Sequence, residues 1–278
     1  LLYLKRRILP WMMSILSILV INAPIVYAGE ATTDLVDRVL GGEPENVGVS
    51  LRLLLVTTVV AIAPALLLLT TSFTRIIVVL GFVRRAIGTQ DAPPNTVLVG
   101  LSLLLTMAVM GPTWNDIYTN AIQPYSEQVP SPVTGDVPDG QQTMAYAEQR
   151  MREFMYPAIY ESDLLLLAQV GAPQEFATLY DGNGIITKNF VDALPATVVV
   201  PAFVLSELKR AFEMGVMIFI PFLIIDLVVS AILVSMGMFM LPPILVSRPF
   251  IVVVFVIVDG WSLVVQQLLI SSGSAVAG

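Results

Sequence analysis

The sequence predicts an all-α membrane-complex protein, with long apolar helical hairpins and an acidic, partly helical segment outside the cytoplasm. Three observations carry this expectation. Hydrophobic residues make up 56% of the 278 and charged residues only 13%, whereas an ordinary globular chain carries roughly 25% charged residues. The apolar residues gather in runs long enough to cross a hydrocarbon core about 30 Å thick. Those runs are unbroken, which excludes an outer-membrane barrel, whose strands alternate over about ten residues.

The chain opens LLYLKRRILPWMMSILSILVINAPIVYAGE. Lys5, Arg6 and Arg7 precede an apolar stretch ending in Val26-Tyr27-Ala28, the pattern of a secretory signal peptide over residues 1–28. Pro10 and Pro24 interrupt the stretch, and an uncleaved first helix is the alternative. Residues 29–112 form a region of apolar helices. The first, Val49 to Thr71, carries a single charge, Arg52. In SFTRIIVVLGFVRRAIGTQDAPPNT, the charges Arg75, Arg84 and Arg85 come before any acid, which places this end on the cytoplasmic side. The dipeptide Pro93-Pro94 ends the helix in a loop. Thr96 to Gly111 reads as a second apolar helix, short for a full span.

Composition reverses over residues 113–193. From Trp114 to Asp192 eleven acidic residues face Arg150, Arg152 and Lys188, with the Pro/Gly-rich VPSPVTGDVPDG in the middle. This is a water-facing, extracytoplasmic segment. Within it Met144, Met151, Met155 and Ile159 recur at helical spacing and predict one packed face.

Residues 194–278 predict a helical hairpin. Met214 to Ser247 carries one charge, Asp226, and Pro249 to Ser272 one, Asp259. The pair Pro242-Pro243 removes two backbone donors and marks the turn. Beside it stands SMGMFMLPP, where Met236, Met238, Phe239 and Met240 crowd around Gly237. Methionine is unbranched and polarisable and re-packs easily. These residues either line a yielding constriction or simply pack and face lipid.

A layout with four spans puts the arginine-rich loop and the methionine turn inside. It leaves Glu207, Lys209 and Arg210 outside, against the positive-inside tendency. Surfaces other than lipid are therefore expected to cover some of these helices. In SELKRAFEMG, Glu207/Arg210 and Lys209/Glu213 are spaced to pair locally on the start of a solvated helix. A carboxylate at the centre of a spanning helix costs about 2.5 to 3.5 kcal/mol, so Asp226 and Asp259 each need a partner or a task. The open readings are a proton or cation relay, a structural pair with Arg52, Lys209, Arg210 or Arg248, or a bond to a neighbouring subunit.

The composition narrows function further. Without cysteine or histidine there is no disulfide, thiol nucleophile, Cys/His zinc site or Ser-His-Asp triad. A net charge of -7 disfavours nucleic acid as a partner. Asp226 and Asp259 lack the glycine-flanked context of an intramembrane aspartyl protease, and no glycine loop of the phosphate-cradling type is present. No catalytic, cofactor-binding or metal residues are expected, and the chain is not expected to be an enzyme.

Several segments occur together in one order: SFTRIIVVLGFVRRAIGTQDAPPN, LPATVVVPAFVLSELKRAFEMGVMIFIPFLIIDLVVSAILVSMGMFMLPP and VDGWSLVVQQL. From about Val49 to Leu269 the chain resembles the FliP family of flagellar export-gate subunits and their counterparts in virulence type III secretion. The signal segment resembles that of the flagellar branch. Phe239 departs from the run of methionines that flagellar members carry, which would stiffen the turn.

The resemblance implies a core pore subunit of a bacterial type III protein export gate, located in the inner membrane at the flagellar basal body. It implies five copies of this chain winding around a pore with one FliR-like and four FliQ-like subunits. Unfolded flagellar proteins pass through. The apolar helices are then largely buried between subunits. Met236, Met238, Phe239 and Met240 become a pore gasket, and Arg75, Arg84, Glu207, Lys209, Arg210, Asp226 and Asp259 structural charges or subunit contacts. The competing expectation is a secondary transporter or ion channel using Asp226 and Asp259. A transporter of that kind carries internal repeats, and none is visible in this chain.

Overall fold

The computed structural model describes residues 47–89, 92–179, 192–238 and 240–273. The signal-peptide segment, Lys188 and Phe239 lie outside the described residues. Every regular element described is helical. The chain forms two compact units, one ending at Pro64 and one running from Ala65.

Of the first unit, the described part is the opening of α1 (Val47–Leu69). Its threonines bond back along the helix: the hydroxyls of Thr57 and Thr58 donate to the carbonyl of Leu54 at 3.0 and 2.7 Å. A polar side chain is thereby satisfied without water, as a lipid-facing helix requires.

In the second unit, α2 (Phe73–Ala86) buries Ile76, Val79, Leu80, Val83 and Ala86, which recur at spacings of three and four along one stripe. It stops at Gly88, whose φ of 81° lies in the left-handed region that glycine enters without strain. α3 (Asn95–Ile117) continues through a π-helical turn, Tyr118–Ile122, into Gln123–Glu127. Its buried hydroxyls close on their own helix, Ser102 to Leu98 and Thr106 to Ser102, both at 2.7 Å. α4 (Gly140–Met155) begins with a capping box in which Asp139 and Gln142 exchange side-chain and backbone bonds. α5 (Glu161–Gly171) and α6 (Pro173–Leu179) follow.

α7 (Ala196–Ser235) is the rod of the fold, 40 residues or about 60 Å long. After the methionine turn come α8 (Pro243–Ile257) and α9 (Gly260–Gly273), which meet at a 62° bend. Two cores are strung along α7. The first joins Val109 and Met110 of α3, Phe154 and Met155 of α4, Leu164 and Ala168 of α5, and Val198 to Phe203 of α7. The second joins the buried stripe of α2 to Ala211 and Phe222 of α7, Ile251 and Phe255 of α8, and Val264 and Leu268 of α9. Gly215 lets α7 approach α2, since a Cβ there would stand 2.5 Å from the ring of Phe82.

By length and composition Asn95–Glu127 and Ala196–Ser235 are each able to cross a membrane, and up to four spans result if each bent helix pair counts as one. Four expectations change. The second apolar helix runs well past Gly111 because Asp116, on its polar extension, is held by Tyr146 and Arg150 of α4. The final hairpin arm is not one straight helix but breaks at Val258-Asp259, where Asp259 takes a φ of 52°. SELKRAF lies in the interior of α7, not at a solvated start. Met151, Met155 and Ile159 pack on the first core as expected, but Met144, two helical turns before Met151, is exposed.

Candidate functional site

The charges of SELKRAF find partners on other helices instead of on their own. Arg75 and Glu207 are 2% and 1% exposed and form a two-pronged pair, Arg75 Nε donating to one carboxylate oxygen at 2.8 Å and Nη2 to the other. Such a fork matches guanidinium to carboxylate geometry. Arg75 Nη1 also donates to the backbone carbonyl of Ser271 at 2.9 Å. One guanidinium therefore ties α2, α7 and α9 together within the apolar interior.

Next to Glu207 on α7, Ser206 donates to the buried Asp163 of α5 at 2.9 Å, and Lys209 pairs with its other oxygen. Ser206 Oγ in turn accepts the backbone N–H of Tyr160 at 2.9 Å. The Tyr160 hydroxyl donates to Glu213 at 3.1 Å, and Arg210 lies over its ring at 4.8 Å. The expected local pairs Glu207/Arg210 and Lys209/Glu213 are thus replaced by contacts across 46 or more positions. Asp163, Ser206 and Tyr160 were not singled out from sequence. The signal for Asp163 is its place among the leucines of ESDLLLLAQVG, where a carboxylate stays buried only with partners.

A third cluster braces α3 on α4. Asp116 accepts from Tyr146 at 3.0 Å and from Asn120 at 2.9 Å and pairs with Arg150, which also holds Glu153. Burial, helped by the Asp116 carboxylate, pushes the Tyr146 phenol above its ordinary range. The hydrogen bond to Asp116 raises Arg150 further still.

The remaining predicted residues do not converge. Asp226 of α7 accepts the hydroxyl of Ser247, a fully buried residue of α8, and among the described residues pairs with none of Lys209, Arg210 and Arg248. Asp259 is exposed at the bend, and among the described residues its carboxylate has no partner. Arg84 donates to Asn95 and, at 3.4 Å, to the carbonyl of Pro93, which fixes the loop between α2 and α3. No cluster of three or more metal-ligating side chains occurs among the described residues.

The methionine turn is set by backbone chemistry. At the end of α7, the N–H of Gly237 donates to Val234 and that of Met238 to Leu233, both at 3.0 Å. This is the paired closure that a left-handed residue permits, and Gly237 supplies it with a φ of 77°. Pro242 then caps α8, and Pro243 is its first residue. The segment between is pushed out: Met236 is 68% exposed, Met238 37% and Met240 96%. Met236 and Met240 therefore stand largely uncovered by the described residues, while Met238 is mostly covered.

Comparison with known proteins places these features in a family. The FliP family model matches residues 55–268. The "Flagellar biosynthetic protein FliP" of Bacillus subtilis is 44% identical over 227 residues, 82% of this chain and 94% of that protein. The protein of the same name from Caulobacter vibrioides is 43% identical over 211 residues, 76% of this chain and 72% of that protein. The Aquifex aeolicus protein is 38% identical over 256 residues, 91% of this chain and 96% of that one. The matched region takes in the Arg75–Glu207 lock, the methionine turn and the bend at Asp259, and the chain belongs to the FliP family.

Proposed function

We propose that this chain is a core, pore-forming subunit of the bacterial flagellar protein export gate, working in the inner membrane at the flagellar basal body. Its relatives are named for flagellar biosynthesis. Several copies of the chain, five by family resemblance, surround the pore together with FliR-like and FliQ-like subunits. Unfolded flagellar proteins cross it. The role is structural and conductive, with no bond made or broken by the chain.

One observation carries the pore reading: the methionine turn presents Met236 and Met240, largely uncovered by the described residues, beside the half-buried Met238 at a glycine-proline break. Repeated around a pore, such turns, with Phe239, gather apolar side chains at one level. An apolar constriction stops ions by dewetting, while methionine's flexible thioether lets the ring re-pack around a passing polypeptide. The exposed apolar flank of α7, including Met217, Ile220, Leu227 and Val228, offers surface for neighbouring subunits.

The relay reading has less behind it. Asp226 is engaged by Ser247, Asp259 lies at an exposed bend, and among the described residues no chain of hydrogen bonds joins the two. The assembly reading is tested by the mass of the complex extracted in mild detergent. Several copies of this chain per particle are expected; a folded, monodisperse monomer contradicts it.

A further inference from the structure

Hydroxyls on the long helices close on their own backbone: Ser102, Thr106, Ser230 and Ser235 each donate to a carbonyl three or four residues back, all at 2.7 Å. Ser247 does not. It is fully buried near the start of α8, its own-helix alternative at the Ile244 carbonyl is 3.4 Å away, and its hydroxyl donates across the seam to the half-buried Asp226 carboxylate of α7. Among the described residues this is the one polar bond between α7 and α8.

Around that bond the seam is apolar. α8 buries Ser247, Ile251 and Phe255, spaced by four, on one stripe. Phe222, four residues before Asp226 and on the same stripe of α7, meets Phe255 with ring centroids 6.3 Å apart. Burial of apolar area has no direction, so contacts of this kind hold two helices together without fixing their register. A single polar position in an apolar helical seam does fix it, at a cost in stability. Here a slip of one turn would shift the start of α8 by about 5.4 Å and leave the Ser247 hydroxyl buried without its acceptor. The bond also stands close to the methionine turn, ten positions before Met236 on one arm and seven after Met240 on the other. Whatever fixes this pair fixes how far the turn extends beyond the paired helices.

We infer that Asp226 is a positioning residue for the gate: through Ser247 its carboxylate sets the register of α7 against α8, and with it the level at which Met236 and Met240 are presented. The proton stays on Ser247 and the carboxylate remains an acceptor, so the pair holds geometry and passes no proton. That the level matters for sealing rests on the pore reading; that the pair sets the register does not.

The chain contains no cysteine, so the register can be read with introduced thiols. Val234 and Ile244, 53% and 52% exposed on the two arms of the turn, are both replaced by cysteine in the full-length chain. The assembled complex, extracted in mild detergent, is treated with bis-maleimides of graded length, and a denaturing gel separates links within one chain from links between chains. One short span should dominate the links within a chain. S247A and D226L each remove one partner and should lower the yield at that span, relative to longer ones, by on the order of tenfold, the factor of one hydrogen bond to a charged group. D226N, whose amide oxygen still accepts, should keep the parental span. An S247A complex with the parental span overturns the inference, as does an equal loss in D226N, since charge and not the bond would then be at work. If D226L fails to assemble, S247A decides alone, because it removes a single oxygen. Membrane conductance of S247A and D226N without the cysteines is the second readout. A leak in S247A at parental complex levels, absent from D226N, supports the positioning role. A changed span without a leak supports the register assignment and counts against the pore reading instead. D226N that keeps the parental span and tightness yet loses export overturns the positioning role in favour of a proton relay.

Discussion

Removing the guanidinium of Arg75 is the sharpest test of how this fold is held. Arg75→Ala leaves Glu207, 1% exposed, as an uncompensated carboxylate between α2, α7 and α9, and strips the Ser271 carbonyl of its donor. Breaking one partner out of a buried ion pair costs about 3–5 kcal/mol. Loss of the aliphatic stem adds to this through a cavity. The folded-to-unfolded ratio should therefore fall by roughly two to four powers of ten. Because net stability is commonly only about 5–15 kcal/mol, such a loss should show as a large drop in the amount of extractable, folded protein. The double variant Arg75→Met with Glu207→Leu removes both charges at similar volume and should recover most of the loss, since apolar replacement of a whole buried pair is often neutral or better. The assay is fractional unfolding in mixed micelles of rising denaturing-detergent content, read by tryptophan fluorescence, for parent, single and double variants. A single variant within about 1 kcal/mol of the parent, the range of an exposed pair, would refute the buried-lock reasoning. A double variant no better than the single would refute the charge argument while leaving packing as the cause.

Two further outcomes follow from local geometry. Gly215→Ala places a methyl 2.5 Å from the Phe82 ring, so it should destabilise by about 1–3 kcal/mol through overpacking, measured in the same micelle assay; no change would mean that α7 and α2 are not in close contact. Asp259→Asn should retain assembly and most export because asparagine tolerates the left-handed backbone that Asp259 adopts, whereas Asp259→Leu strains it by about 1–2 kcal/mol and should lower assembly. Loss of export by a normally assembled Asn variant would point to a proton relay instead.

The features legible in the sequence were those written in local chemistry. Apolar runs set the helices, Gly237 and Pro242-Pro243 set the methionine turn, and Pro93-Pro94 set the loop after α2, because each acts within a few residues of itself. Partner choice was not legible. Glu207 and Arg210 have the spacing of a helical ion pair, yet Glu207 turns to Arg75, 132 positions away. In an apolar interior a carboxylate is stabilised by the best-oriented donor, and sequence spacing says nothing about a donor on another helix. The break at Asp259 was hidden for a similar reason: VFVIVDGWSLV reads as one apolar helix, and only packing of Phe255 against Trp261, centroids 5.5 Å apart across the corner, shows the bend. Gly260 permits that corner, since a Cβ there would meet the Phe255 ring at 2.2 Å. The extension of α3 past Pro112 depends on Tyr146 and Arg150 holding Asp116, again a long-range contact.

The central claim, that the methionine turn seals a pore, is tested most directly by ion conductance. Met238, Phe239 and Met240 are replaced together by alanine in cells that assemble the complete complex, and membrane conductance is compared with the parent at matched complex levels. The expected result is a gate leaky to small ions that still exports part of its cargo, because the dewetted apolar ring is gone while the channel remains. A triple variant that assembles normally and stays as tight as the parent would contradict the claim and make these side chains ordinary packing.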